Sequence, residues 1–488
     1  MTMATSVLII GTGFGGLAMA LELKRAGLED FTILEQADEV GGVWRDNTYP
    51  GAGCDIPSPY YSYSFAPNLE WPRRFSRQAD ILRYIREIVD EYGLRPHIRF
   101  GTEVTAAAFD TGNGRWAVDT NTGIRYEADV FVPAVGQLSR PSIPNIPGRD
   151  NFTGSAFHSA RWRHDIDLRG KRVAVIGTGA SAIQFAPQIQ PDVQRLTLFQ
   201  RSAPYIAPKP DTTYRTWQHR LFRLVPAVQK AERFGFWSFF EISTLGILGN
   251  KAIARAGERV ALGHLRKQVP DPALRAKLTP DYAPGCKRAL FSNNYFPALT
   301  QPNVHVETGR IAEITATGVR TADGVHHDAD VIVYGTGFTA QEFLAPIKVT
   351  GLGGRDLREN WSEGARAYLG MSVPGFPNMF LMYGPNTNIG AGSIIYMHER
   401  QARYIRRLVE YLDTHPRRYL DVRTEVEQRY DTEIQQRLDR SAWTSCASWY
   451  RAESGRVSTN WPGLVSEYSR RTRHPDPGDY RIVSLGAS

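Results

Sequence analysis

The sequence predicts an α/β protein of two doubly wound halves, with a helical insertion in the second. Three observations carry this. A glycine-rich turn opening at Gly11 recurs at Gly177, each turn follows a short apolar run and leads into helical periodicity, and a helix-rich stretch from Asp211 to about Pro284 interrupts the second half. Two such turns in one chain imply two bound nucleotides, and so electrons passing from one to the other.

The first turn has its full context. Ser6 to Ile10 reads as a buried parallel strand, Gly11-Thr-Gly-Phe-Gly-Gly16 as the turn, and Leu17 to Ala26 as the helix. Gly11 permits the tight turn, Gly13 lets the backbone approach a pyrophosphate, and Gly16 lets helix and strand pack closely, with the helix N-terminus facing the phosphate charge. The next strand, Phe31 to Leu34, ends at Glu35. An acid there accepts ribose hydroxyls and disfavours a 2′-phosphate, which selects FAD or NAD at this site.

The second turn ends differently. Arg172 to Ile176 is the strand, Gly177-Thr-Gly-Ala-Ser-Ala182 the turn, with Ala182 where a third glycine would stand. The strand Arg195 to Phe199 runs into Gln200-Arg201-Ser202 rather than an acid. A guanidinium there matches a 2′-phosphate, so this site reads as NADPH.

Composition fits a multidomain globular chain: 488 residues, 42% hydrophobic and 22% charged. The net charge of +8 does not read as a nucleic-acid footprint, because Lys and Arg are interleaved with acids through most of the chain. The N-terminal apolar run is used as the first strand, without a charged leader before it, and the protein reads as cytoplasmic. Cys54, Cys286 and Cys446 form no C-x-x-C pair and no zinc-like cluster, and no metal site is read. A flavoprotein that reduces disulfides needs a vicinal dithiol, so that class is excluded, and each cysteine reads as a small buried side chain.

Between the two turns lies Phe152-Thr-Gly-Ser-Ala-Phe-His-Ser-Ala-Arg-Trp162. With Gly41-Gly-Val-Trp44, Tyr49-Pro-Gly51, Asp55 and Gly136-Gln-Leu-Ser139, it gives a set of motifs that resembles the Baeyer–Villiger monooxygenases over essentially the whole chain. Phe152, Gly154, His158 and Trp162 match the family fingerprint; Arg163 stands where proline or aspartate is usual. The resemblance implies FAD and NADPH as cofactors and O2 and a small apolar ketone as substrates. One oxygen atom would enter beside the carbonyl to give an ester or lactone.

The resemblance also assigns roles. Arg288, in Gly285-Cys-Lys-Arg288, would stabilise a C4a-peroxyflavin anion, positioned by Asp55. FAD would be held by Gly11, Gly13, Phe14, Gly16, Glu35, Gly42, Val43, Trp44, Asp55, Tyr61, Val104 and Gln137. NADP would be held by Thr178, Gly179, Ala180, Ser181, Arg201, Lys287, Arg288 and Trp449. His158 and Trp162 read as structural residues. An N- or S-oxygenating flavin monooxygenase and, more distantly, a non-catalytic FAD/NADP redox sensor remain open.

The boundaries follow. FAD-binding segments span 1–140 and 340–488, NADP-binding segments 141–210 and 285–339, and the insertion 211–284. Val331 to Phe338 reads as a buried strand and turn closing the NADP part, and Tyr383 to Asn388 and the helix through Glu399 as bordering the flavin ring. Within the insertion, the apolar stretch Phe234 to Leu248 is too polar overall to cross a membrane. It reads first as core packing, second as a substrate entrance, third as a membrane-surface contact. Glu425 to Leu438 reads as a solvated helix and Arg470 to Pro477 as a polar tail; the ketone and the oligomeric state are not legible.

Overall fold

The protein was analysed as a computed structural model, which describes residues 5–446, 450–451 and 454–485. Two parallel sheets organise the chain. In the first, the strand Val7–Ile10 lies between Phe31–Leu34 and Val130–Pro133, with Val7 opposite both Phe31 and Val130, and Ile98–Arg99 lies at the edge. In the second, the order is Val304–Glu307, Arg195–Phe199, Arg172–Ile176, Val331–Tyr334, Ser155–His158. The central strands of both sheets are buried throughout, as parallel strands covered on both faces must be.

A helix follows each glycine turn, Phe14–Arg25 in the first half and Ala180–Ile189 in the second. The first packs against the long helix Ile394–Thr414, which returns the late part of the chain to the first half. Smaller antiparallel sheets accompany the parallel ones, including Val104–Asp110 with Arg115–Thr120, whose inward alternation seats Trp116 fully in the core. The sequence reading had not resolved these antiparallel strands.

The insertion is helical, with helices Thr216–Leu224, Pro226–Ile247, Lys251–Gln268 and Pro272–Lys277. Local chemistry punctuates it. Pro226 and Pro272 open helices at positions where a missing N–H costs nothing, and the side chains of Asn250 and Asp271 accept hydrogen bonds from the first free N–H groups.

Three expectations need correcting. Arg470 to Pro477 is not a tail: it leaves the helix Val465–Arg471, buries Thr472 and leads into Tyr480–Ser484, which pairs antiparallel with Arg418–Val422, with Tyr480 buried and its hydroxyl between Ser372 Oγ (3.1 Å) and Tyr404 Oη (3.2 Å). Of that strand only Tyr480 is buried, so no alternation marks it in the sequence. Core packing fails for much of Phe234 to Leu248, since Phe234, Phe239, Ile242 and Leu245 are exposed while only Phe240, Glu241, Thr244 and Gly246 are buried. Cys286 and Cys446 are not independent small side chains but a disulfide spanning 160 residues; only Cys54 is a buried free thiol. Their separation in sequence gave no cue to the pairing.

The buried Tyr480 yields a stability prediction. Tyr480→Ala removes a core aromatic ring and leaves two hydroxyls short of a partner, so unfolding in urea should show a loss of about 3–5 kcal/mol. A surface tail would show almost none.

Candidate active site

The first glycine turn has no room for side chains. Gly11 sits at φ 96°, and a Cβ there would lie 2.8 Å from the Ala134 carbonyl oxygen; a Cβ on Gly16 would lie 1.9 Å from the Gly11 oxygen. Gly42, at φ 53°, approaches Gly13 so closely that its Cβ would meet the Gly13 Cα at 3.1 Å. The backbone is thus bared at the N-terminus of Phe14–Arg25, where N–H groups and the helix dipole favour an anion.

Glu35 is buried beside this turn. One carboxylate oxygen accepts from the Thr12 backbone N–H (3.0 Å) and hydroxyl (2.6 Å), the other from the Ala37 N–H (3.0 Å) and the Arg45 guanidinium (3.0 Å). Val43 opens a short helix capped by Gly42, and the Trp44 indole donates to the Tyr61 hydroxyl at 3.1 Å. The tyrosine in turn packs edge-on against Phe14. Val104 is buried at the start of its strand. Gln137 donates to the Tyr383 and Gly384 carbonyls, and its own buried side-chain oxygen has no partner.

At the second turn, a Cβ on Gly177 would lie 2.5 Å from the Gly335 oxygen. Ala182 is accommodated because Gly335 faces it, so the closeness that a third glycine usually provides is supplied from the opposite strand. Gly179 precedes the helix that begins at Ala180 and Ser181, and the Thr178 hydroxyl donates to the Ser202 carbonyl at 3.1 Å. Lys287 donates to the Ser202 hydroxyl at 2.7 Å and lies over the Tyr282 ring. Burial holds the Lys287 ammonium below its usual range, and the charge of Arg201 depresses it further. Asp281 pulls it back up only in part, so the positive charge of Lys287 and Arg201 at this turn suits an anion.

Asp55 and Arg288 come together from 233 residues apart. The guanidinium donates to both carboxylate oxygens, Nη2 to Oδ1 at 2.8 Å and Nε to Oδ2 at 3.2 Å. The Asp55 charge drives the Arg288 pKa above its already high ordinary value, against the opposing effect of burial. Arg288 borders a cavity of about 1010 Å³ whose other walls include Ile56, Phe75, Phe236, Phe239, Phe240 and Trp443. A permanent cation therefore stands at the edge of a large apolar chamber. The Cys286–Cys446 disulfide fastens the turn carrying Lys287 and Arg288 to the segment before Trp449, and Trp449 itself lies outside the described residues.

A sequence-profile family described as pyridine nucleotide-disulphide oxidoreductases matches residues 8–232, the part that carries both glycine turns. A Baeyer–Villiger monooxygenase of Streptomyces coelicolor is 45% identical over 480 residues, covering 98% of this chain and 92% of the relative. The chain belongs to the Baeyer–Villiger monooxygenase family. Among solved structures, an oxidized steroid monooxygenase bound to NADP superposes with a TM-score of 0.87 at 30% identity, covering 99% of this chain and 100% of that one. OTEMO in complex with FAD and NADP gives 0.88 at 27% identity, covering 99% and 100%.

In this family member, some contributors to the site carry no sequence signature. Lys209 donates to the Cys54 carbonyl at 3.0 Å and covers Phe75; burial lowers its pKa, while Asp55 pulls it back up. Gln184, on the helix of the second turn, accepts from the Tyr49 hydroxyl and the Gly53 N–H and donates to the Gly53 carbonyl. That grip fixes the Tyr49 to Asp55 loop on the second half. Burial and the neighbouring Asp55 charge push the Cys54 thiol up to about 12, which keeps it protonated and unreactive at neutral pH. Among the described residues the buried His398 has no hydrogen-bond partner at either ring nitrogen, and burial pushes it down to about 3. His158 accepts the Ala160 N–H at Nδ1, and Trp162 packs against Phe157 and Phe185, as structural residues do. His305, Glu307 and His327 also converge, with each imidazole Nε2 3.4 Å from the carboxylate, a grouping that the sequence reading missed because His327 comes from another strand.

The bidentate pair predicts energetic coupling. Asp55→Ala and Arg288→Ala should each lower stability by about 1.5–3 kcal/mol, the worth of a charge-assisted hydrogen bond. The double variant should lose clearly less than the sum of the two. Additive losses in urea unfolding would show that the two side chains do not support each other.

Proposed function

We propose that the chain is an NADPH- and FAD-dependent enzyme that inserts one oxygen atom from O2 beside the carbonyl of an apolar ketone, giving an ester or lactone. The observation that carries this reading is the Asp55–Arg288 pair at the edge of an apolar cavity, in a chain of this family. The domain division read from the sequence is adopted with it: FAD on 1–140 and 340–488, NADP on 141–210 and 285–339.

The bared backbone at Gly11, Gly13, Gly16 and Gly42 suits the FAD pyrophosphate, and Glu35 the adenosine ribose. A ribose hydroxyl would compete there with Thr12 or Arg45 for the carboxylate. Phe14, Val43, Trp44, Tyr61, Val104 and Gln137 are assigned to the same cofactor, Gln137 through its unpartnered oxygen. Thr178, Gly179, Ala180 and Ser181 are assigned to the NADP pyrophosphate, Arg201 and Lys287 to its 2′-phosphate, and Trp449 to its ribose. When held by these residues, FAD would accept a hydride from NADPH and, with O2, would supply oxygen in a form able to attack a carbonyl.

The chain's own groups do the rest. Asp55 fixes the Arg288 guanidinium in one plane, so no reorganisation is needed when charge develops. Arg288 stabilises the negative charge that grows on oxygen as it adds to the carbonyl, a role a flexible ammonium fills less well. The apolar walls exclude water and strengthen that interaction. A permanently charged partner favours a nucleophilic oxygen over the protonated, electrophilic one that N- or S-oxygenation requires.

Turnover of a ketone panel with NADPH under labelled oxygen, read by mass spectrometry, tests the reading: the ester should carry one labelled atom, and no ester from any ketone would refute it. Arg288→Ala should keep its yellow colour and bleach when NADPH is added without oxygen, yet form about a hundredfold to a thousandfold less ester. Ester at the unmodified rate would remove Arg288 from the mechanism. For the nucleotide, Arg201→Ala or Lys287→Ala should cost about 1.5–3 kcal/mol of NADPH binding and raise its KM, with NADH almost unaffected. Equal losses with both nucleotides would mean that neither side chain reads the phosphate.

A further inference from the structure

The long helix Pro226–Ile247 is inside out. Apart from Lys230, its charged and amide side chains face the protein: Arg233 donates to the Pro59 and Ser62 carbonyls, Glu232 accepts from Arg74 and from the Tyr214 hydroxyl, Gln229 donates to the Asn68 carbonyl, and Glu241 accepts the N–H groups of Val465 and Ser466. Its solvent side carries Val228, Phe234, Phe239, Ile242 and Leu245, continuing into Val225 and Leu224, the last 82% exposed. Among the described residues, thirteen large hydrophobic side chains are exposed, and nine of them fall between Trp217 and Val260. An ordinary water-facing helix has the opposite pattern.

Charge is concentrated in the same place. Residues 215–268 hold ten Lys or Arg against three Glu, a net +7 in a chain whose total is +8. The three acids are turned inward, Glu258 receiving the Tyr205 hydroxyl at 3.2 Å. Lys230, Lys251, Arg255 and Arg259 are exposed, and no described carboxylate lies within ion-pair distance of them. Lys251, Arg255 and Arg259 recur every four residues, one line along the helix whose Ala256, Gly257 and Val260 border the cavity.

The third observation is where the cavity opens. Phe239, Ile242 and Val260 both line it and are more than half exposed, so they form its mouth, and the mouth lies within the apolar patch. We propose that this face of the insertion docks on an anionic phospholipid surface, with the cavity mouth opening at that surface. Phe234, Leu224 and their neighbours enter the boundary between headgroups and acyl chains, while the bases meet lipid phosphates. A second copy of the chain fits worse. Two-fold pairing through this face would set basic rim against basic rim and cover the mouth. Delivery of a lipid-dissolved ketone straight into the cavity rests on the function proposed above; the docking does not.

The test is sedimentation of the full-length, FAD-loaded protein with vesicles of phosphatidylcholine alone or mixed with phosphatidylglycerol. The protein should pellet with the anionic vesicles, stay largely in solution with the neutral ones, and be released progressively by salt. Lys251→Ala, Arg255→Ala and Arg259→Ala should each weaken binding about fivefold. Phe234→Glu should abolish it without altering the melting temperature or the turnover of a small soluble ketone, since Phe234 does not line the cavity. Equal recovery with both vesicle types would overturn the proposal, as would a dimer in sedimentation velocity that Phe234→Glu dissociates, because a second copy would then cover the face. Vesicle binding by a preparation that oxidises no ketone would uphold the docking while sinking the reaction assigned to the chain.

Discussion

The Asp55–Arg288 ion pair is the constraint around which the rest of the structure is arranged. Its members come from different halves, and neither could hold its geometry alone. Asp55 ends a loop whose course is fixed by Gln184, which reaches across from the second half, and by Gly51, where a Cβ would strike the Gln184 carbonyl at 2.7 Å. Arg288 is fixed from the other side by the Cys286–Cys446 disulfide two residues earlier. The contact between halves and the placement of the cation are therefore one structural problem with one solution. A half-buried pair of this kind adds little net stability, because desolvation offsets most of the attraction. Its value lies in specificity, since only one arrangement of the two halves satisfies both charges.

The second organising fact is a reversal of polarity in the insertion. Arg233 is half-buried, and its pKa is lowered by that burial against the pull of Glu399, yet no described carboxylate lies within ion-pair distance of it; backbone carbonyls of the Pro59 to Ser62 loop accept its hydrogen bonds instead. The Pro59 carbonyl also receives the Ser62 hydroxyl, so Arg233 completes the hydrogen bonding of an irregular loop. By turning its polar side chains inward to serve this loop, the helix commits its apolar side chains to the outside. The exposed patch is thus a geometric consequence of how the loop preceding Trp71 is satisfied, and it also forms the mouth of the cavity.

What was legible in the sequence divides along physical lines. The parallel strands and their glycine turns could be read because strand, turn and helix are contiguous, and each glycine answers a local steric demand. Asp55 and Arg288 came from motifs matched to a family, and the structure brings them within hydrogen-bonding distance. Lys209, Gln184 and the Cys286–Cys446 bridge could not be read, since their partners lie far away in the chain and nothing in the flanking residues marks them. The strand Tyr480–Ser484 buries only Tyr480 and so shows no alternation, and the orientation of Phe234 to Leu248 was masked by an apolar run that fits a core as well as a surface. Periodicity reports that a helix has two faces; it does not report which face meets water.

The cation pair at the second turn shows how a site can be built before its ligand arrives. Arg201 and Lys287 repel each other, and Lys287 is further penalised by burial, so the unliganded arrangement is costly unless something compensates. Part of the compensation is visible: Lys287 rests on the Tyr282 ring and donates to Ser202, whose carbonyl in turn receives the Thr178 hydroxyl. The same serine thus links the glycine turn to the lysine. An anion between the two side chains would be drawn by both charges. Because Lys287 and Arg288 are adjacent on one disulfide-anchored turn, seating an anion at the first also limits the positions open to the second. On the proposed assignment of Lys287 to the nucleotide phosphate, nucleotide binding and the placement of the cavity's cation would be coupled by a single covalent step along the chain.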